Sequence, residues 1–144
     1  MAVCHPSSAM ADFVPPSEWA PMPDDAATPR DREWYHAFTT PEVPIDSLEA
    51  ISMIARLSER MPHARVIRVQ RVQHRGLWDN YIGGRRKIAR DNAGRANERL
   101  LFHGTGPRAP TTILQHDAGL DPRFADGGGF YGRGVYLAEN PAYT

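Results

Sequence analysis

Two short stretches hold the chemistry of this chain: Leu100-Leu101-Phe102-His103-Gly104-Thr105 and Tyr131-Gly132-Arg133-Gly134-Val135-Tyr136-Leu137-Ala138. In the first, an apolar strand delivers a histidine to a turn of small residues. Gly104 has no side chain there, so a ligand can reach the backbone N–H and C=O directly. A planar carboxamide offers one acceptor and two donors, which suits a free backbone pair. Thr105 adds a hydroxyl beside it. In the second stretch, a glycine-flanked strand delivers Tyr136, a flat aromatic face on which a ring can stack. A ring nitrogen that donates or accepts, a bare amide pair and a stacking platform together suit an aromatic carboxamide carried on a sugar.

The elements that position these residues are read from periodicity and from turn-forming residues. Asp46 or Ser47 is a plausible N-cap for a helix in which Leu48, Ile51, Ile54 and either Ala55 or Leu57 repeat at helical spacing, to about Arg60, with Pro62 ending it. Residues 64–73 alternate and are β-branched, which predicts a strand. Leu77, Trp78, Tyr81 and Ile82 resume a helical pattern, weakened at Gly83-Gly84, and Asp91-Asn92-Ala93-Gly94 reads as a turn. Residues 99–103 predict a strand. Pro110, Ile113, Leu114 and Gly119 predict a short helix with its cap, residues 121–129 a glycine-rich loop, and residues 134–138 a last short strand. From Phe13 to Pro44 proline is dense, yet Phe13, Trp19, Trp34, Tyr35 and Phe38 lie there; that much aromatic area predicts a segment wrapped onto a core and not a linker. Residues 1–12 read as a disordered N-terminal tail.

Composition sets the frame. With 144 residues the chain suits one domain, and 41% hydrophobic against 24% charged residues excludes a disordered polymer. No apolar run approaches the roughly 20 residues of a membrane span, and the first ten residues do not read as a secretory signal. Cys4 is the single cysteine, which excludes internal disulfides and fits an intracellular setting, nucleus or cytoplasm. The net charge of zero conceals a segregation: residues 1–54 carry −7, residues 55–108 carry +9 and residues 109–144 carry −2. A basic middle suits a polyanion or a pyrophosphate, or is merely a solvated face filled with arginine, since only one of the seventeen bases is lysine.

The paired stretches resemble the first two members of the His-Tyr-Glu set of the poly(ADP-ribose) polymerase family, the diphtheria-toxin-like ADP-ribosyltransferases. The likeness extends further. Ser17-Glu18-Trp19-Ala20-Pro21-Met22 is similar to the start of the catalytic domain in the mono-ADP-ribosylating branch. Residues 66–74 with Leu77, Trp78 and Tyr81 are similar to its first core strand and following helix, and Asn97-Glu98 and Gly119-Leu120-Asp121 also match. The resemblance implies an α+β fold with a split, mainly antiparallel sheet flanked by helices, residues 13–144 forming the N-terminal portion of the catalytic domain. It implies NAD as co-substrate and an acceptor protein as partner. By the same resemblance His103 bonds the adenosine ribose, Gly104 holds the nicotinamide carboxamide, and Thr105 lies near the adenosine-side ribose. Tyr136 stacks on nicotinamide, Thr144 takes the place of a serine hydroxyl at the carboxamide, and residues 121–130 form the loop over bound NAD. The family's third member is a carboxylate, and nothing before Thr144 matches it; Glu139 follows Tyr136 too closely. The expected domain is therefore incomplete at its C-terminus and inactive alone, while the intact protein is expected to transfer single ADP-ribose units to protein. A non-catalytic relative that binds NAD or a protein partner is the alternative.

Other chemistries fit less well. Gly104-Thr105-Gly106-Pro107-Arg108-Ala109 satisfies a dinucleotide fingerprint, but Pro107 and Pro110 remove amides the pyrophosphate needs, and no acid-tipped second strand follows at the right distance. The six histidines are scattered and no pair has metal-ligand spacing, so no metal is expected. Arg85-Arg86-Lys87 and Arg90 lack the interleaved aromatics of a nucleic-acid surface, so nucleic acid is not an expected partner of this segment.

Overall fold

The computed structural model describes residues 15–22, 35–106, 110–115, 119–125, 129 and 131–143. The expected tail at 1–12, and with it Phe13, Trp34, Gly127, Gly128 and Thr144, lie outside the described residues. The described architecture is α+β. Strand β1 (Phe38–Thr39), helix α1 (Leu48–Arg60), strand β2 (Gln73–His74), helix α2 (Arg75–Asp91) and helix α3 (Pro110–Leu114) follow in order, with 3-10 turns at Pro122–Phe124 and Pro141–Tyr143. Every strand pairing among the described residues is antiparallel. No helix among them is long and apolar enough to cross a membrane.

Helix α1 begins where the Ser47 hydroxyl accepts from the Ala50 amide at 3.2 Å, and it ends where the Met61 amide bonds Leu57, one residue before Pro62. Its inner stripe is displaced from the expected one. Ala50 is buried, and Ile54 and Leu57 are half-buried at the following helical positions, whereas Leu48 is 87% exposed and Ile51 half exposed. Spacings of four and then three residues put Ala50, Ile54 and Leu57 on one face, and Leu48 lies off it.

The predicted strand over residues 64–73 forms only in part. β1 and β2 pair with Phe38 opposite His74, and the same register reaches Glu42 opposite Gln70 as an isolated bridge. Arg71 donates to the Pro41 carbonyl and Val43 to that of Val69. Pro41, opposite Arg71, has no N–H to return. The chain that would face residues 64–68 turns at residues 44–47 and enters α1 at Leu48, so those residues find no strand partner among the described ones; Ile67 is 88% exposed. The strands expected at 99–103 and 134–138 likewise shrink to a single bridge, Phe102 to Ala138.

Helix α2 starts two residues before its apolar pattern does. His74 caps it, with Nδ1 accepting from the Leu77 amide at 3.2 Å. It continues through Gly83-Gly84 and closes in a turn with Ala93 and Gly94 at positive φ, the turn expected from Asp91 to Gly94. The proline-rich segment does wrap onto these elements where it is described. The Trp19 and Trp78 rings lie 6.0 Å apart, Tyr35 reaches the Gly76 carbonyl at 3.4 Å, and Phe38 stacks on His74 at 5.9 Å.

Among the described residues the buried apolar side chains include Met22, Val43, Ala50 and Pro141, beside buried Gln73, His74, Arg75 and Asp121. Arg71 ties three segments together: its Nε donates to Glu49 at 3.1 Å and Nη2 to the second Glu49 oxygen, while Nη1 donates to the Glu18 carbonyl. The hydrogen bond from Arg71 holds the Glu49 carboxyl below its ordinary range. A depressed carboxylate stabilises the fold fully above its unfolded value of about 4.3, and the contribution is lost as pH falls through the lower folded value. Thermal melts taken below about pH 4.3 should show a shallower acid-induced loss in Glu49→Gln than in the parent; equal slopes would remove this pair from the acid response.

Candidate functional site

Phe102 donates to the Ala138 carbonyl at 2.7 Å, and Ala138 returns a bond of 3.0 Å. In an antiparallel ladder of this register the next such pair is Gly104 with Tyr136. That pair does not close. The His103 ring takes the place of the Gly104 amide, and Nδ1 lies 2.9 Å from the Tyr136 carbonyl. On the other side of the bridge the Leu100 carbonyl accepts from Arg56 on α1, and Asn140 turns into the 3-10 segment. The expected strands stop where these side chains intercept the ladder.

Two chemical consequences follow. The Gly104 N–H and C=O have no hydrogen-bond partner among the described residues, and Gly104 is exposed. A carbonyl can only accept, so Nδ1 carries the proton, and in the neutral ring Nε2 is left as an acceptor. A donor–acceptor pair on bare backbone thus adjoins an imidazole whose tautomer is fixed by the neighbouring strand.

Tyr136 is held by a turn that precedes it. Its hydroxyl donates to the Gly132 carbonyl at 2.7 Å and accepts from the Tyr131 amide at 3.0 Å. Gly132 donates to Gly129 at 3.0 Å and has φ of +90°, a left-handed conformation that favours glycine. A Cβ on Gly129 would lie 2.4 Å from the Tyr136 hydroxyl, so only glycine permits this approach. With both hydroxyl roles used internally, the half-buried ring has its face to offer a ligand. Tyr131 lies 6.4 Å away, 31° from parallel and 93% exposed.

The predicted residues His103, Gly104 and Tyr136 are thus brought together by one bridge. Thr105 follows half-buried, and Thr144 lies outside the described residues. Glu139 pairs with Arg99 at 3.1 Å on the exposed surface, which suits a structural ion pair. In the segment before the turn, buried Asp121 caps the Pro122–Phe124 turn through the Arg123 amide at 2.8 Å and also bonds Arg123 Nε at 2.8 Å. Arg133 donates to the carbonyls of Ala125 and Arg123. The sequence reading passed over Arg133 and over the demand on Gly129. The Asp-Pro cap was a readable signal; the carbonyl partners of an arginine leave none.

Further out, Glu98 accepts from Tyr81 and from Arg85 Nε, joining α2 to the chain just before the His103 strand. These bonds, Tyr81 first, hold the Glu98 carboxyl low, and the same bond raises the Tyr81 phenol. Arg86, Lys87 and Arg90 lie exposed along the same helix.

A family model described as the poly(ADP-ribose) polymerase catalytic domain matches residues 49–144, which include both stretches. Protein mono-ADP-ribosyltransferase PARP12 of Mus musculus is 34% identical over 86 residues, 58% of this chain and 12% of that protein. Protein mono-ADP-ribosyltransferase PARP11 of Mus musculus is 25% identical over 130 residues, 84% of this chain and 38% of that protein. Protein mono-ADP-ribosyltransferase PARP14 of Homo sapiens is 26% identical over 94 residues, 65% of this chain and 5% of that protein. The chain therefore spans well under half the length of these relatives. With more than half of it inside the family model, the chain belongs to the poly(ADP-ribose) polymerase catalytic domain family.

Proposed function

We propose that this chain supplies the NAD-holding part of a protein mono-ADP-ribosyltransferase. The observation that carries the reading is the interrupted ladder: His103 takes the Tyr136 carbonyl, and the Gly104 amide and carbonyl stand open beside a stacking tyrosine. On this reading the Gly104 N–H donates to the nicotinamide carbonyl oxygen, and its C=O accepts from the carboxamide nitrogen. Nε2 of His103 accepts a hydrogen bond from a hydroxyl of the adenosine ribose, the Thr105 and Thr144 hydroxyls add contacts at that ribose and at the carboxamide, and the Tyr136 face covers the nicotinamide ring.

The bond that breaks joins nicotinamide to ribose. Its electrons leave with nicotinamide, the sugar develops oxocarbenium character, and a nucleophile of the acceptor protein forms the new bond while losing its proton. The residues named here act by orientation. A carboxamide clamped and stacked in one plane leaves along one line, and an adenosine-ribose hydroxyl held by His103 fixes the other end of the dinucleotide. The mono-ADP-ribosylating relatives support the transfer of single units.

Binding of benzamide, which mimics nicotinamide, tests the reading directly. His103→Ala and Tyr136→Ala should each weaken it by about 1–3 kcal/mol, through the lost tether of the strand end or the lost ring. Unchanged affinity in both variants, measured by titration calorimetry, would remove the two residues from the site. Binding of NAD with no transfer from labelled NAD would favour a binding module instead.

A further inference from the structure

Two groups beside the site are left unused by the recognition of NAD described above: the Tyr136 hydroxyl and the Arg133 guanidinium. Both are engaged with backbone. The hydroxyl holds the Tyr131 amide and the Gly132 carbonyl, which closes the turn onto the strand. Arg133, within that turn, reaches the carbonyls of Arg123 and Ala125, eight to ten residues earlier in the chain. No carboxylate among the described residues pairs with Arg133. The segment it grips is anchored at its other end by Asp121, 7% exposed and bonded to Arg123 through amide and guanidinium.

An arginine that meets an acid forms a salt bridge; one that meets two carbonyls of another segment, here those of Arg123 and Ala125, fixes where that segment lies, because its rigid fork has donors for both. We propose that Arg133 and the Tyr136 hydroxyl act in series as a latch: Arg133 holds residues 121–125 against the turn, and the hydroxyl holds the turn against the stacking tyrosine. Both are positioning groups. The latch rests on the reading that Tyr136 is the nicotinamide platform only for its consequence, since the bonds stand without a ligand. Opening it at Arg133 frees residues 121–125 and leaves the ring in place. Opening it at the hydroxyl frees the turn and lets the ring wander.

Hydrogen exchange on the full chain reads the latch without ligand. The Arg123 amide donates to Asp121, the Ala125 amide to Pro122 and the Tyr131 amide to the Tyr136 hydroxyl, so each is a reporter. Arg133→Ala should speed exchange at Arg123 and Ala125 roughly tenfold, and Arg133→Lys, which keeps a charged donor, by less. Tyr136→Phe should speed exchange at Tyr131 by a similar factor. The thermal midpoint should move little in Arg133→Ala, because Arg133 is exposed. In the same variants, Arg133→Ala should weaken NAD more than benzamide, whereas Tyr136→Phe should weaken both. Exchange at Arg123 and Ala125 unchanged in Arg133→Ala overturns the latch, as does a lysine variant as loose as alanine. Faster exchange in a chain that binds no benzamide at all would keep the latch and defeat the assignment of the ligand.

Discussion

Replacing Gln73 by alanine should lower the stability of this chain by about 3 kcal/mol, at about 1 kcal/mol for each of three hydrogen bonds. Gln73 is fully buried, and its amide copies a strand. Oε1 accepts from the Ala20 amide at 2.9 Å, while Nε2 donates to the Ala20 carbonyl at 2.9 Å and to the Thr39 hydroxyl at 3.3 Å. One side chain thus binds the segment of residues 15–22 and the β1 strand to β2. Alanine removes all three bonds and leaves a cavity at a fully buried position. Ala20 is exposed and can recover part of the loss from water, which keeps the figure near 3 and not above it. A loss of this size is a large share of the 5–15 kcal/mol by which domains are stable. Chemical denaturation of parent and variant measures it, and Trp19, packed on Trp78, reports the release of the segment. A difference under about 1 kcal/mol, the worth of a single such bond, would mean that the segment is held by other contacts.

The same contrast between local and distant causes decides how much of this molecule was legible in its sequence. The bounds of helix α1 were readable to within a residue, because the cap at Asp46 or Ser47, the apolar repeat and Pro62 act within a few positions of one another, although its buried face was not. The start of α2 was misplaced because histidine is a rare cap: His74 closes the first turn with a ring nitrogen. The strands were overestimated for a reason that lies in their partners. Residues 64–68 alternate as a strand should, but the chain that would face them turns at residues 44–47 into α1, and pairing is a property of two segments. At the site, His103, Gly104 and Tyr136 were singled out by residue type and context and by resemblance to a family pattern. What the pattern could not reveal is why Gly104 is open: the His103 ring occupies the carbonyl that Gly104 would otherwise bond. Arg133 went unread because its partners are backbone carbonyls, which every residue has.

Helix α2 carries three glycines that the sequence presents alike, and alanine at each should separate them by sign. At Gly83 and Gly84 an added Cβ meets nothing within 4 Å, so Gly83→Ala and Gly84→Ala should each stabilise by about 1 kcal/mol, the helix-propensity difference. At Gly76 the same atom would lie 2.7 and 2.8 Å from the Tyr35 ring and 2.9 Å from the Tyr35 carbonyl oxygen. The ring could rotate away, but the carbonyl belongs to the chain leading into β1, and the Tyr35 hydroxyl is itself bonded to Gly76 and to Asn80 at 3.2 Å. Relief therefore requires α2 and the segment before β1 to separate, at the upper end of the 1–3 kcal/mol that overpacking costs. The propensity gain offsets about 1 kcal/mol of that. Gly76→Ala should thus melt below the parent while Gly83→Ala and Gly84→Ala melt above it, the two classes standing about 3 kcal/mol apart. The Tyr35→Ala background, which removes the ring but not the carbonyl, should return only part of the loss at Gly76. Three variants shifted in the same direction would show that Tyr35 does not pack on α2 in solution.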